Sequence, residues 1–336
     1  MQGKKKGVIP HKPEPEIIKM LKGSAHGFVS GQALSSALGI SRTAIWKHIK
    51  RLRDAGYGIS AQPSKGYRLD ETKKRPFNVW EVSLLLTTDF IGRSLHFYQS
   101  ISSTNAIAFE LGRNGCVEGA VVIADGQTKG KGRLGRVWAS PRGVNLYTSI
   151  VLRPGIQPQN ATQLTFLAAV AAAETVKVFT RKPPEVKWPN DILIDGRKAA
   201  GILLEMDTES DRVNFVVVGI GVNLNMRRDD LPELIKKTAV SLFDKTGVEV
   251  DRAEFGARLY SIFEKWYKIY CKDGFPPVLD EWKGYFGGAG KPVKISSVGA
   301  SIEGVCMGVD ADGALLVRVA SGKVERVLSG DVVAGG

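Results

Sequence analysis

The stretch GAVVIADGQTKGKGRLGR, residues 119–136, decides the fold class of this 336-residue chain. An apolar run at 119–124 predicts a buried strand, and a loop with three glycines and three cations follows at 130–136. Glycines let a backbone approach a ligand closely and present its N–H groups, and cations beside them indicate an anionic ligand, most simply a phosphate. The plainer alternative is a mobile basic loop on the surface.

The glycines of this loop formally match the dinucleotide-binding fingerprint through Gly130, Gly132 and Gly135. That fingerprint has to open a helix, but residues 138–143 read WASPRG. The fingerprint also needs an acidic residue about 20 positions further on, but residues 150–155 read IVLRPG and contain none. A Walker loop is excluded as well, because Gly132 stands where a Ser or Thr is needed. Because the strand-like and helical runs further along the chain do not alternate regularly, the fold is predicted to be α+β rather than doubly wound.

Bulk composition is that of a soluble globular protein, with 43% hydrophobic and 24% charged residues, and the length predicts two or three domains. No apolar run approaches the roughly 18 residues of a membrane-spanning helix, and the start MQGKKKG has no apolar region behind it. The three cysteines match no disulfide or zinc spacing, which favours a reducing, cytoplasmic location.

The positive charge is concentrated at the N-terminus, where residues 1–73 carry a net +9 and the remainder only +4. Ser30 and Ser41 can cap two short helices separated by Gly39, and the second helix is cationic on its outer side. Two short strands around 63–65 would add a wing. Together these features predict a DNA-binding winged helix-turn-helix. A basic helix by itself would indicate only a charged face in contact with solvent.

Three domains are predicted: residues 1–73, 74–285 and 286–336. The central one is a mixed sheet with helices. Its strand-like runs lie at 119–124, 145–152, 192–194, 201–205 and 213–222, and its long helical patterns at 161–179 and 253–271. The last one is a small β-barrel or sandwich, whose strands are expected at 293–295, 302–306, 314–319 and 324–328.

Further candidates for chemistry follow the glycine loop. KWPND at 187–191 is a turn, Lys198 opens an apolar strand, and GIGVNLN at 219–225 closes one. SSTN at 102–105 has the form of a helix N-cap. Each has an ordinary structural explanation by itself. The four histidines lack metal-ligand spacing and no nucleophile elbow is present, so the chain is built to bind and orient charged reactants.

In this order the motifs resemble those of the biotin protein ligases. GKGRLGRVW at 130–138, KWPND at 187–191, RKAAGIL at 197–203 and the Gly-x-Gly-x-Asn223 stretch carry the resemblance in the catalytic region. SRTAIWKHIK at 41–50 resembles the branch that also represses biotin operons. The resemblance implies a class II synthetase-like central domain and a C-terminal SH3-like β-barrel.

The resemblance also implies a two-step reaction. Biotin and ATP, with Mg²⁺, give biotinyl-5′-AMP, and a lysine of a biotin carboxyl carrier protein then takes the biotin. Catalytic roles fall on Arg133 and Lys198. The implied biotin-binding residues are Ser103, Thr104, Asn105, Gln127, Lys131, Gly132, Arg133 and Lys198. The implied adenylate- or ATP-binding residues are Gly130, Arg136, Trp138, Asn190 and Asn223. No metal ligand is assigned.

Operator DNA is the second implied partner, and a twofold homodimer on a palindromic site is expected. The predicted DNA-binding residues are Arg42, Thr43, Trp46, Lys47, Lys50, Arg53 and Lys65. The chain departs from the common loop pattern, because Lys131 replaces an Arg and Leu134 is neutral. Two alternatives remain: a biotin-sensing regulator without ligase activity, and a lipoate or octanoate transferase of related fold.

Overall fold

The computed structural model describes residues 13–24, 27–209, 211–230, 233–297 and 300–334. It divides into two compact units, Met1–Leu85 and Leu86–Gly336. Part of the predicted basic N-terminus falls outside the described residues, namely Lys4, Lys5, Lys6, His11, Lys12 and His26.

The first unit has the predicted winged helix-turn-helix. Its elements are α1 (Pro13–Lys22), α2 (Gly31–Leu38), α3 (Arg42–Asp54), β1 (Ile59–Gln62), β2 (Gly66–Leu69) and α4 (Val79–Leu85). Ser30 Oγ accepts from the Ala33 amide at 3.0 Å and Ser41 Oγ from the Ala44 amide at 3.2 Å, so both predicted caps are confirmed. Gly39, with φ of 65°, ends α2 in a left-handed turn that permits the sharp bend into α3.

The core of the first unit is closed by its own side chains. Fully or nearly fully buried apolar residues come from all three leading helices and the wing: Ile17, Ile18, Leu21, Leu34, Ile45, Ile49, Leu52, Ile59 and Leu69. The wing strands pair antiparallel with Ile59 opposite Leu69. The predicted linker at 71–78 carries neither helix nor strand. The carboxylate of Glu81 on α4 accepts from Tyr57 Oη at 3.0 Å and Lys22 Nζ at 3.1 Å.

The second unit is built on a large mixed sheet. The strands that the structure describes in it are β3 (Leu95–Tyr98), β4 (Val121–Ala124), β5 (Leu146–Leu152), β6 (Glu185–Lys187), β7 (Asp191–Ile194), β8 (Arg197–Glu209) and β9 (Arg212–Val222). Their order is β3-β4-β5-β9-β8-β7-β6, with β3 parallel to β4 and every other neighbouring pair antiparallel. The α+β prediction is confirmed, and the edge strands β3 and β6 are additions to the predicted set.

Helices pack on this sheet. Their bounds are α5 (Thr104–Arg113), α6 (Gln163–Thr180), α7 (Glu233–Lys236), α8 (Leu242–Thr246), α9 (Arg252–Asp273) and α10 (Pro276–Tyr285). The stretch Pro158–Thr180 is long and apolar enough to cross a membrane by composition, but 61% of its most apolar window is buried inside the protein. Helix α6 therefore has the character of a core helix.

The chain ends in an antiparallel sheet that we call the C-terminal sheet. Its strands are β10 (Pro292–Ser297), β11 (Ala300–Val309), β12 (Leu315–Arg318), β13 (Val324–Val327) and β14 (Asp331–Ala334), in the order β13-β12-β11-β10-β14. Four of these strands are predicted from the alternation of apolar residues, and β14 is not. The first unit extends through α4, past residue 73, and the limits of the three predicted domains stay predictions.

Candidate functional site

A cavity of about 140 Å³ lies on the large sheet of the second unit. Its walls come from the start of α5, the loop after β4, the β6–β7 turn, strands β5, β8 and β9, and the C-terminal sheet. Eleven of the predicted ligand-binding residues line it: Ser103, Thr104, Asn105, Gln127, Lys131, Gly132, Arg133, Arg136, Trp138, Asn190 and Lys198. Residues up to 95 positions apart in the sequence are thus brought around one space.

One end of the cavity is neutral and rich in hydrogen-bonding groups. Gln127 Oε1 accepts from the Thr104 amide at 2.7 Å, and Gln127 Nε2 donates to Ser140 Oγ at 2.9 Å. Ser103 occupies the N-cap position of α5, but its side chain makes no capping hydrogen bond. Buried hydroxyl and amide groups of this kind suit a neutral polar ligand such as a urea.

The glycine loop, residues 130–136, folds back on itself like a small hairpin. The Gly132 amide donates to Arg136 O at 2.7 Å, and the Trp138 amide donates to Gly130 O at 2.9 Å. Leu134 has a φ of 52°, a left-handed conformation that is rare for a residue with a branched side chain. The loop therefore presents its cations from a defined turn.

Each cation of the loop has an oxygen partner on a different segment. Arg133 donates to Asn190 Oδ1 at 3.1 Å and to the Gly330 carbonyl at 3.3 Å. Arg136 pairs with Asp331. Lys131 lies 3.6 Å from a carboxylate oxygen of Glu205 on β8. Burial lowers the pKa of Arg133, partly offset by Asp331, and a guanidinium remains charged throughout the physiological range.

Lys198 stands at the centre of the cationic end. Its Nζ lies 2.6 Å from Asp191 Oδ1 and 5.1 Å from the centre of the Trp138 ring. Lys198 is near the start of β8 and pairs with Leu193, whereas Asp191 begins the adjacent strand β7 and pairs with Gly201, so the two charged side chains meet diagonally across neighbouring strands. An ammonium at this point can meet both a carboxylate and a phosphate of one ligand.

Trp138 packs on a floor of two glycines. Gly201 on β8 and Gly221 on β9 are paired across the sheet. A Cβ added at Gly221 would stand 2.7 Å from the indole, and one at Gly201 would stand 3.0 Å from it. The indole Nε1 is buried and has no hydrogen-bond partner among the described residues. Glycine is thus needed in both strands for the ring to lie on the sheet.

The structure leaves two predicted site residues outside the cavity lining. Asn223 is buried, and its Nδ2 donates to the carbonyls of Lys198 and Val240, both at 3.3 Å, which ties strand ends together. Gly130 allows the start of the loop to pack against the end of the loop, because a Cβ at residue 130 would stand 2.4 Å from Trp138 O. Their roles toward a nucleotide stay predictions.

Several lining residues are absent from the sequence-based set. They include Asp191, Gly201, Gly219, Gly221, Tyr147 and Asp331. Asp191 lies within the KWPND motif, so the neighbouring residues could have identified it from the sequence. Asp331 lies 195 residues from its partner Arg136, and no local pattern marks it.

The predicted DNA-binding side chains lie on the surface of the first unit. All seven are exposed: Arg42, Thr43, Trp46, Lys47, Lys50, Arg53 and Lys65. An open groove of about 750 Å³ runs between α3 and the wing, and Arg42, Thr43 and Trp46 line it. Trp46 is 53% exposed, unusual for an aromatic ring of this size. Arg53 also donates to the Ile59 carbonyl at 2.8 Å, which links α3 to the wing.

The site gathers hydrogen-bond donors and cations rather than a covalent nucleophile or a metal cluster. Among the residues that the structure describes, no group of three His, Cys, Asp or Glu side chains is placed to hold a metal ion. Such a site can bind a reactant, orient it and stabilise negative charge. The same chain therefore combines a winged helix-turn-helix unit with a site built to bind and orient an anionic reactant.

Comparison with known proteins identifies the family. Residues 97–223 match the biotin/lipoate A/B protein ligase family, residues 15–68 an HTH domain, and residues 288–335 the biotin protein ligase C terminal domain. The chain is 40% identical to the bifunctional ligase/repressor BirA of Bacillus spizizenii, over 95% of this chain and 98% of that one. The chain belongs to the family of bifunctional biotin protein ligase/repressors.

A second relative agrees with this assignment, and a solved structure agrees with its ligase part. The bifunctional ligase/repressor BirA of Escherichia coli is 33% identical, over 90% of this chain and 92% of that one. The solved structure of biotin protein ligase from Aquifex aeolicus in complex with biotin and ATP has a TM-score of 0.62 and 29% identity. It covers 72% of this chain and 98% of that one.

Proposed function

We propose that this protein is an ATP-dependent biotin protein ligase that also represses transcription of biotin synthesis genes. The observation that supports this most directly is the single cavity shared by the hydroxyl and amide groups near Thr104, the glycine loop with Arg133, and Lys198. A neutral polar end and a cationic end in one cavity fit a ligand with a urea ring at one end and an activated carboxylate at the other.

In the first step the biotin carboxylate attacks the α-phosphate of ATP, and pyrophosphate leaves. The hydroxyls of Ser103 and Thr104 and the amide of Gln127 hold the ureido ring, together with Asn105 and the backbone near Lys131 and Gly132. Lys198 contacts the carboxylate and phosphate oxygens and stabilises the charge that develops there. The loop keeps water away from the mixed anhydride.

The adenylate half is held by the rest of the loop and its surroundings. Arg133 and Arg136 offer guanidinium groups to the phosphate, and Trp138 packs on the adenine side with Asn190 and Asn223 nearby in the fold. Mg²⁺ carried by ATP would neutralise charge on the phosphates. Asn190 Oδ1 accepts from Arg133 and Asp191 Oδ1 pairs with Lys198, so no protein ligand for Mg²⁺ is assigned.

In the second step the ε-amine of a carrier lysine attacks the carbonyl of the mixed anhydride. The new amide C–N bond forms, and the bond from the carbonyl carbon to the phosphate oxygen breaks. AMP leaves, and the proton lost by the amine passes to solvent. The carrier is a biotin carboxyl carrier protein. No covalent intermediate with the ligase is required.

The first unit provides the repressor activity. Arg42, Thr43, Trp46 and Lys47 stand at the start of α3, where a recognition helix reaches base edges. Lys50, Arg53 and Lys65 are exposed cations suited to phosphates. One winged unit buries little surface, so a homodimer on operator DNA is part of the proposal, as is a cytoplasmic location.

The test is incubation of the purified chain with ATP, biotin and a carrier domain, followed by mass spectrometry of the carrier. We expect a mass increase of one biotin on one lysine. Operator binding without carrier labelling would leave only a biotin-sensing regulator. Labelling by lipoate in place of biotin would assign the lipoate or octanoate transferase reaction instead.

A further inference from the structure

The segment that carries the glycine loop is closed at its base by one carboxylate. We call this segment, residues 125–145 between β4 and β5, the β4–β5 loop. Asp125 follows β4 directly, and its Oδ1 accepts from the Gly143 amide at 3.2 Å. Because Asp125 leaves one strand and Gly143 approaches the next, this contact joins the outgoing chain to the returning chain. Neither residue lines the cavity, so any effect on a ligand acts through the position of the loop.

Arg252, the first residue of α9, holds this carboxylate from outside the loop. Its Nη1 donates to Asp125 Oδ1 at 2.8 Å and to the Asn145 carbonyl at 3.4 Å, so both ends of the β4–β5 loop meet one guanidinium. The side chains of Asp125 and Arg252 are only 17% and 13% exposed, and a pair with so little solvent contact is weakly screened. Arg142 lies 3.4 Å from the other carboxylate oxygen, but its side chain is 59% exposed and the contact adds little.

Further contacts extend this order into the returning chain. The Gln127 amide donates to Ser140 O at 3.2 Å, and Tyr147 Oη donates to Pro141 O at 3.0 Å. A Cβ added at Gly126 would stand 3.3 Å from Ser140 O, so the two sides of the loop are in close contact here. The part of the β4–β5 loop that can move over a ligand is thus its centre, which carries the glycine loop.

A fixed base favours closure of this centre over a ligand. Each residue that has to be ordered when a loop closes opposes closure through lost conformational entropy. Chain that is already ordered at Asp125 and Gly143 adds nothing to this loss, so the closed loop is favoured and the ligand leaves more slowly. The base is also tied to a rigid element, because α9 is anchored in the second unit by the buried rings of Phe255, Tyr260 and Phe263.

We propose that Asp125 and Arg252 are positioning residues for biotinyl-5′-AMP: their ion pair fixes the base of the β4–β5 loop and slows the escape of the adenylate. The inference rests on the proposed function, because it names what holds the loop of the same site in place. It adds two residues that do not line the cavity and were not among the site residues predicted from the sequence.

The test is the release of labelled adenylate from Arg252→Met, a variant that keeps a long side chain and removes its charge. Excess unlabelled biotin and ATP are added to the preformed complex, and the bound label is followed with time. We expect release roughly fivefold to twentyfold faster than in wild type, since a charge-assisted hydrogen bond is lost in part. Adenylate synthesis at saturating biotin and ATP, measured by pyrophosphate release, is expected to stay within about threefold.

Trypsin provides a readout that a general loss of stability would not imitate. It cleaves after Lys and Arg, and the glycine loop presents Lys131, Arg133 and Arg136 at exposed or half-buried positions. With biotin and ATP present, we expect faster cleavage in the glycine loop of Arg252→Met and unchanged cleavage in the C-terminal sheet. Cleavage that rises equally in both places would show that Arg252 only stabilises the fold, and the inference would fall.

The matched control is Arg258→Met, which removes an exposed cation from the same helix and should leave release at the wild-type rate. Arg252→Lys keeps a charge beside Asp125 and should return release to within about threefold of wild type, since one nitrogen makes the contact. Asp125→Asn removes the other partner, so the double variant with Arg252→Met should release no faster than the more affected single variant. If Arg252→Met does not fold, the isosteric Asp125→Asn provides the same test.

Two further outcomes overturn the inference. Release at the wild-type rate in both Arg252→Met and Asp125→Asn would show that the ion pair does not hold the loop. Fully additive effects in the double variant would show that the two residues do not act as a pair. In both cases the wild type still forms the adenylate and labels the carrier, so the proposed function stands. A wild-type chain that forms no adenylate overturns the proposed function, and this inference with it.

Discussion

The indole of Trp138 lies against the backbone of Gly221, so that a Cβ at residue 221 would stand 2.7 Å from the ring. Trp138 lines the cavity beside Lys198, which is 5.1 Å from the ring centre. The ring position is therefore set by the absence of a side chain on β9, and it can be changed without touching any charged group of the site.

Replacing Gly221 with Ala should displace the indole from the sheet. We expect adenylate formation to fall about tenfold to a hundredfold, since small displacements of positioning groups have effects of this size. Stopped-flow detection of pyrophosphate measures the rate, and tryptophan fluorescence reports the ring. Gly284→Ala is the control, because nothing lies within 4 Å of its added Cβ. Wild-type rates in Gly221→Ala would contradict the packing role of Trp138.

Arg133→Gly should weaken retention of the adenylate while leaving its synthesis measurable. Arg133 ties the loop to Asn190 and to the Gly330 carbonyl, and its guanidinium would be lost as a phosphate partner as well. We expect labelled adenylate to escape about ten to a hundred times faster, the range of charge-assisted hydrogen bonds. The exposed Lys129→Gly variant controls for added glycine flexibility. Escape at or below the wild-type rate would count against this role.

Asp331→Asn should loosen the loop from the side of the C-terminal sheet. The Arg136–Asp331 pair is partly exposed on the arginine side, so we expect only a twofold to fivefold faster adenylate release, roughly up to 1 kcal/mol. Asp312→Asn makes the same change in the turn between β11 and β12, at an aspartate that pairs with Arg326 and does not line the cavity. Identical release from both variants would show that Asp331 does not hold the loop.

Arg42→Ala should impair operator binding and leave ligation unchanged. Arg42 lines the groove of the first unit at the start of α3, and one good base or phosphate contact is worth about 1–3 kcal/mol. Fluorescence anisotropy on operator DNA at fixed salt measures the loss. Lys19→Ala removes an exposed cation from α1 of the same unit and serves as control. A parallel fall in carrier labelling would refute the division of labour between the two units.

Glu264→Gln should destabilise the second unit in a pH-dependent way. The carboxylate accepts from the amides of Asp89, Phe90 and Ile91 at 2.7–3.0 Å. Burial raises its pKa, but hydrogen bonds from these amides and from Lys268 outweigh burial and bring the pKa below its ordinary value. The folded pKa is thus lower than the unfolded one. The stabilisation is complete above the unfolded pKa and is lost as pH falls through the folded pKa.

Urea unfolding at a series of pH values measures this effect. At pH 7 we expect the variant to be about 2 kcal/mol less stable than wild type, with the difference shrinking on acidification. The control is Glu110→Gln, which removes an exposed carboxylate from α5. A difference that is constant with pH would show that the charge of Glu264 has no part in it.

Much of the site could be predicted from the sequence because its residues stand in short motifs. The glycine loop, KWPND and Lys198 each occupy a few consecutive positions, and the strands that carry them have clear apolar runs. Ser30, Gly39 and Ser41 were identified for the same reason, since caps and turns depend on local chemistry.

The remainder depends on contacts between distant positions. Asp331 meets Arg136 only because β14 closes the C-terminal sheet beside the loop, and β14 is a short strand with little alternation. In the sequence Glu205 is an ordinary strand residue, and only the structure shows that its carboxylate accepts a hydrogen bond from Asn105 Nδ2. Asn223 shows the reverse case: its motif points to a ligand, whereas its amide hydrogens are directed to two backbone carbonyls.

The core of the first unit is built from one continuous segment of the chain, because Ile17, Ile45, Leu52 and the other members of this cluster lie between residues 17 and 84. Substitutions that alter DNA binding and substitutions that alter ligation therefore fall on separate stretches of one polypeptide.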